Sequence, residues 1–124
     1  MRNLPESAEW SIAVILPDRS AGSLSKALIE GLASFDVDAR WASGEDVKES
    51  TERVIVTNYD SIVGLEFDAV FVAACDDLFQ ERERADAYQG LWVALTRARQ
   101  YLAVSSVGVF KVLARPAFQL YRVG

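Results

Sequence analysis

Gly64-Leu65-Glu66-Phe67-Asp68 and Leu91-Trp92-Val93-Ala94-Leu95-Thr96-Arg97-Ala98-Arg99 are the two segments of this chain whose residue types could do chemistry. In the first, Gly64 permits a tight backbone approach and Glu66 offers a carboxylate able to accept a hydrogen bond from a hydroxyl group. The apolar run Ala69-Val70-Phe71-Val72 that follows would fix both in place. In the second, helical spacing puts Arg97 outside the face made by Leu91, Leu95 and Ala98. Its guanidinium would then point away from the core while the helix holds its base, an arrangement suited to phosphate recognition. Arg99 reads as a salt-bridge residue. Arg19, Asn58, Tyr59 and Ser61 form a third group, able to line a groove for a polymer backbone. Tyr59 serves equally well as a packing residue against the helix that follows.

Some chemistry is excluded outright. The chain has no histidine and one cysteine, Cys75, so neither a disulfide nor a Cys/His metal site can form within it. No GxxxxGK[ST] phosphate loop occurs, and the Asp76-Asp77 pair lacks the glutamate and loop partner that a triphosphate-hydrolysing site needs. Hydrolysis of a nucleoside triphosphate cannot be completed by these residues alone.

The elements that must position these residues alternate in type. Ser11 to Leu16, Arg53 to Thr57, Ala69 to Cys75 and Tyr101 to Ser105 are short apolar runs with the character of buried strands, and Val37 to Trp41 is a further short candidate. Pro17-Asp18 reads as a turn, with Ser20 or Ser23 as the N-cap of a helix through Leu24, Leu28 and Leu32. Ala42 to Glu52 and Asp76 to Arg84 are polar and read as loops, whereas Ala85 to Gln100 has helical spacing. Asn58 to Asp68 is long enough for one crossover turn of helix. Val109 to Ala114 suggests a helix broken before Pro116, and the tail to Gly124 an edge strand. The alternation predicts an α/β sandwich with a mostly parallel central sheet.

At 124 residues, 51% of them hydrophobic, the chain suits one domain with one core, preceded by a flexible polar segment over residues 1–10. Those first residues lack the pattern of a signal peptide, and no apolar run approaches the ~20 residues of a bilayer span, so a cytoplasmic monomer is expected. The formal charge of −5 disfavours strong autonomous binding to nucleic acid. Arg82, Arg84, Arg97, Arg99, Arg115 and Arg122 leave room for a local anion site, although most such arginines simply face water.

GLEFDAVFV, from Gly64 to Val72, resembles motif V of superfamily 1 DNA helicases of the UvrD, Rep and PcrA kind, and LWVALTRAR, from Leu91 to Arg99, resembles their motif VI. The order matches, with about 25 residues between GLEFD and ALTRAR and a strand after each, and the likeness spans roughly residues 11 to 106. It implies a three-layer RecA-like sandwich of the phosphate-loop NTPase type, lacking its own phosphate loop: the second RecA-like domain, 2A, of an ATP-dependent helicase. The resemblance further implies that ATP with Mg2+ sits against an N-terminal ATP-binding domain, that Gly64, Glu66 and Arg97 belong to the nucleotide site, with Glu66 at the ribose, and that Arg97 is the arginine finger at the γ-phosphate. Single-stranded DNA would be the other partner, while the isolated domain would hold no cofactor and be inactive.

Departures from the pattern are specific. Asp60, Ser61, Ile62 and Val63 stand where relatives carry a histidine, small residues and a lysine, and Asp18, Arg19 and Ser20 stand where they carry DNA contacts. The stretch between Trp41 and Arg53 is short where relatives insert a 2B domain. An alternative is a non-catalytic RecA-like interaction module that has lost DNA coupling. A receiver-like signalling domain, suggested by Asp18 and Asp76 at strand ends, lacks the lysine that such a domain needs after a late strand.

Overall fold

A computed structural model describes residues 10–106. The expected terminal helix over Val109 to Ala114, the expected tail strand, Arg115, Arg122 and all but the last residue of the polar N-terminal segment lie outside the described residues. Five strands form one parallel sheet: β1 (Ile12–Leu16), β2 (Ala39–Trp41), β3 (Val54–Asn58), β4 (Phe67–Val72) and β5 (Ala98–Val104), in the order β2-β3-β1-β4-β5. Between them run α1 (Asp18–Ala33), α2 (Glu45–Glu49), a 3-10 turn (Tyr59–Ile62), α3 (Cys75–Glu81) and α4 (Arg84–Leu95).

The order of the strands dictates the layers. From β1 the chain crosses the sheet one way to reach β2, and every later connection crosses it the other way. Because parallel crossovers are right-handed, α1 must lie on one face and the remaining helices on the other. The core divides accordingly. Val14, Leu16, Ala21 and Val56 pack with Leu24, Leu28 and Ile29 of α1, whereas Ile15, Ile55, Val70 and Val72 pack with Val47, Ile62, Cys75, Leu78, Ala87, Leu91 and Ala94 from the other face. The alternation of neighbouring strand residues between the two clusters follows from the twofold period of a strand. The chain is thus the three-layer α/β sandwich with a parallel sheet that the sequence predicts.

Four local readings need correction. The first helix begins at Asp18, directly after Pro17, so Ser20 and Ser23 lie inside it rather than capping it. Its free N–H groups are met from 63 residues away: Asp18 N donates to Glu81 Oε2 at 3.1 Å and Arg19 N to Glu81 Oε1 at 2.6 Å. A carboxylate there also complements the positive end of the helix dipole. Two polar stretches expected to be loops contain the short helices α2 and α3, each fastened by few apolar residues, Val47 in one and Cys75 with Leu78 in the other. The helix expected to run to Gln100 ends at Leu95, because the chain turns at Thr96 and Arg97 into β5.

Candidate functional site

The segment before β4 turns sharply. Ile62 O accepts from Leu65 N at 3.0 Å, with Val63 at φ −62°, ψ 126° and Gly64 at φ +82°. This is a type II turn, whose third residue requires positive φ and hence favours glycine. Nothing lies near the place a Gly64 side chain would occupy, so conformation rather than space demands the glycine.

The turn abuts the start of β5. Phe67 N donates to Arg97 O at 2.9 Å, and Arg97 folds its side chain across the junction, donating from Nη1 to Leu65 O at 3.3 Å, from Nε to Val93 O at 3.1 Å and from Nη2 to Thr96 Oγ1 at 3.1 Å. Arg97 is therefore not mounted on a helix and does not point freely away from the core, as helical spacing had suggested; it is part-buried in the turn between α4 and β5. Its placement still brings Gly64, Glu66 and Arg97 to one edge of the sheet, at the amino ends of β4 and β5.

Arg99 is a salt-bridge residue, as expected. It donates from Nε and Nη2 to Asp68 Oδ1 at 3.2 and 3.0 Å, and its Nη1 lies 3.7 Å from Glu66 Oε1. The Glu66 carboxylate, 58% exposed, can still reach a hydroxyl group presented from outside. Asp68 Oδ2 accepts from Ser11 N at 2.9 Å, and Ser11 Oγ accepts from Asp68 N at 3.1 Å. The Ser11 hydrogen bond first, then the Arg99 hydrogen bond and charge, hold the Asp68 carboxyl below the usual carboxylate range despite partial desolvation. Sequence reasoning gave Asp68 no role, although it closes the GLEFD segment.

The second group of candidates lies at the opposite, carboxyl edge. Asn58 Oδ1 accepts from Ser61 N at 3.1 Å and Ser61 Oγ at 2.6 Å, and Ser61 Oγ in turn accepts from Gly44 N at 2.8 Å. Asn58 thus caps the 3-10 turn, and Ser61 within that turn ties it to Gly44. Tyr59, only 3% exposed, belongs to the core, so the packing reading holds for it and its ring is not a surface on which a base could stack. Arg19 is the second residue of α1, with an exposed side chain. Behind this edge opens a cleft of about 590 Å³ between the 3-10 turn and α4, lined by Tyr59, Asp60, Val63, Arg82, Gly90 and Val93 among others. Arg82 is fixed in it by Asp60 Oδ1 at 3.3 Å and by the Tyr59 ring, whose centroid is 5.9 Å from its guanidinium carbon. Gly90 leaves the room: a Cβ there would stand 3.1 Å from Arg82 Nη1. Sequence reasoning counted Arg82 only as one of several arginines.

Burial, with a smaller contribution from the Asp76 charge, pushes the Cys75 thiol up to about 12, so it remains protonated and unreactive. Among the described residues no group of three or more His, Cys, Asp or Glu side chains is placed to hold a metal ion, and no helix is long and apolar enough to cross a membrane.

No protein-family model and no curated protein matches the chain. Among solved structures it is similar to the crystal structure of the C-terminal domain of a possible DNA helicase from Lactobacillus plantarum WCFS1, with 27% identity and a TM-score of 0.67. The likeness covers 94% of this chain and 69% of that one. Together with the parallel sheet, it supports a RecA-like fold of the kind found as a helicase C-terminal domain.

Proposed function

We propose that the chain is the second RecA-like domain of a superfamily 1 DNA helicase of the UvrD, Rep and PcrA kind, supplying half of an ATP site shared with a phosphate-loop domain. The observation that carries this reading is the meeting of the two motif-like segments at one sheet edge, with Arg97 Nη1 3.3 Å from Leu65 O. A Gly64 turn that bares backbone, a Glu66 carboxylate open to solvent and an arginine beside them suit a ribose and a phosphate chain respectively. The likeness to a helicase C-terminal domain adds support.

In this reading the neighbouring domain holds ATP and its Mg2+, and the bound nucleotide supplies the phosphoryl group that is transferred to water. Glu66 accepts a hydrogen bond from the sugar and is oriented by Arg99. Arg97 exchanges its carbonyl and hydroxyl acceptors for phosphate oxygens as the cleft between domains closes. Positioned positive charge is what this chemistry needs, and it acts mainly on the transition state.

The test is ATP turnover, at saturating DNA, by the protein in which this domain is joined to a phosphate-loop domain. Arg97→Ala should lower kcat by at least roughly 10²-fold with little change in nucleotide affinity. Arg99→Ala should chiefly raise KM for ATP, since it frees Glu66. Equal small losses for both would remove the finger role from Arg97, and so would turnover by the isolated chain that persists in Arg97→Ala.

A further inference from the structure

We propose that Asp68 is a positioning residue of the sugar site: acting through Arg99, it fixes the Glu66 carboxylate so that the site prefers a nucleotide with an intact ribose to one lacking a sugar hydroxyl. The inference rests on the nucleotide reading given above and adds to it a residue and a selectivity.

The strand pairing sets up the contact. Between β4 and β5 the register passes from Phe67 opposite Ala98 to Ala69 opposite Tyr101, so Arg99 and Gln100 together stand against Asp68 alone. A bulge of this kind is uncommon between parallel strands, and bulges re-aim side chains beside functional sites. This one falls where the segment that carries Glu66 enters the sheet.

Three links of rising exposure then run outward from the sheet. Asp68 is the inner one, with its side chain 19% exposed: Oδ2 accepts from Ser11 N at 2.9 Å, and its own N donates to Ser11 Oγ at 3.1 Å. Arg99 is the middle one, 46% exposed, and donates from Nε and Nη2 to the other oxygen, Asp68 Oδ1, at 3.2 and 3.0 Å. Two donors on one acceptor fix the plane of the guanidinium as well as its position, which a lysine ammonium could not do. Glu66 is the outer link, 58% exposed, and its Oε1 lies 3.7 Å from Nη1, the one guanidinium nitrogen that Asp68 does not use.

An exposed ion pair alone contributes little, because two long side chains lose their freedom in forming it. Arg99 has already lost that freedom to Asp68, so only the glutamate remains to be ordered. Holding Oε1 leaves Oε2 for a hydroxyl donor, and an acceptor set in place before the nucleotide arrives turns one hydrogen bond into selectivity. Such a bond to a carboxylate contributes roughly tenfold in an open site. Without Asp68, Arg99 is free to turn to water, and Glu66 with it.

The experiment compares kcat/KM for ATP, 2′-deoxyATP and 3′-deoxyATP, at saturating DNA, in the protein that joins this domain to a phosphate-loop domain. The unaltered protein should prefer ATP to one of the two analogues by roughly tenfold. Asp68→Asn should bring that preference close to unity by raising KM for ATP rather than by lowering kcat. Arg99→Ala should do the same, and the double variant no more than either. A ratio between substrates does not depend on how much of a variant is folded, so a merely structural role for Asp68 would leave it unmoved. Arg99→Lys keeps the charge but not the fork, and should also lose the preference. In the isolated chain, the Arg99 Nε–H resonance should be resolved by NMR at neutral pH, persist in Glu66→Ala and disappear in Asp68→Asn. A preference kept in Asp68→Asn but lost in Glu66→Ala, a double variant clearly less selective than Arg99→Ala, or an Arg99 resonance indifferent to Asp68 would each overturn the positioning role alone. A preference kept in Glu66→Ala, or absent from the unaltered protein, would instead overturn the sugar reading of Glu66 and this inference with it.

Discussion

Arg97 and Gly64 show how differently two residues of one site can be constrained. Arg97 is held by three acceptors, the carbonyls of Val93 and Leu65 and the hydroxyl of Thr96, all of which a phosphate can replace without leaving a buried charge behind. Under the proposed finger role these acceptors would be exchanged for phosphate oxygens, so this arrangement would be the resting one. Gly64 has no such latitude. With φ at +82° in a type II turn, any L side chain pays the left-handed penalty of about 1–2 kcal/mol even though the space beside it is open. Gly64→Ala should therefore lower unfolding free energy by about 1–2 kcal/mol in urea denaturation, with an unchanged m-value. A neutral or stabilising effect would mean that the turn relaxes to negative φ and does not hold Glu66 in register with Arg97.

At the scale of elements, the amino ends of three strands are fastened by one carboxylate. Asp68 in β4 accepts from Ser11 at the entry to β1 and from Arg99 in β5. Its lowered pKa means that folding favours the ionised form. This contribution is fully present above the unfolded value of about 3.9 and is lost as pH falls through the still lower folded value. Asp68→Asn should accordingly cost about 1 kcal/mol at neutral pH, and the gap to the unaltered chain should narrow steadily below about pH 4 in urea denaturation. A gap constant with pH would assign the effect to packing instead. Of this fastening only the salt-bridge character of Arg99 was legible in the sequence, without its partner; the Ser11 contact was not, because Ser11 and Asp68 are 57 residues apart and no local pattern links them. The strands were legible, since a parallel sheet covered on both faces writes itself as apolar runs. The helices α2 and α3 were not, since each is short and buries one or two side chains within a charged stretch. Arg97 was placed on a helix because ALTRAR keeps helical spacing past the point where backbone pairing with Phe67 takes the chain into β5. Sequence thus identified which residues meet at the edge, but not the turn that presents them.

Over the whole molecule the sign of the charge outweighs the number of arginines. The net charge of −5 is spread over a surface on which the most promising cations are already engaged: Arg82 by Asp60, Arg99 by Asp68 and Glu66, and Arg97 by neutral acceptors. The amino end of α1, otherwise a ready place for a phosphate, is filled by Glu81. Binding of single strands without sequence preference depends on neutralising several phosphates at once and reaches only about 10⁻⁴ to 10⁻⁶ M at physiological salt for proteins built to do so. An acidic domain whose Arg82, Arg97 and Arg99 are satisfied internally should fall below that range. Fluorescence anisotropy of a labelled oligothymidine titrated with the chain at physiological salt should show no saturation up to about 0.1 mM. Glu81→Gln, which keeps an acceptor at α1 but removes one negative charge, should change this little, because the repulsion comes from the whole surface rather than from one group. Submicromolar binding by the unaltered chain would show that local arginines override the net field, and would give this domain a DNA-binding surface of its own.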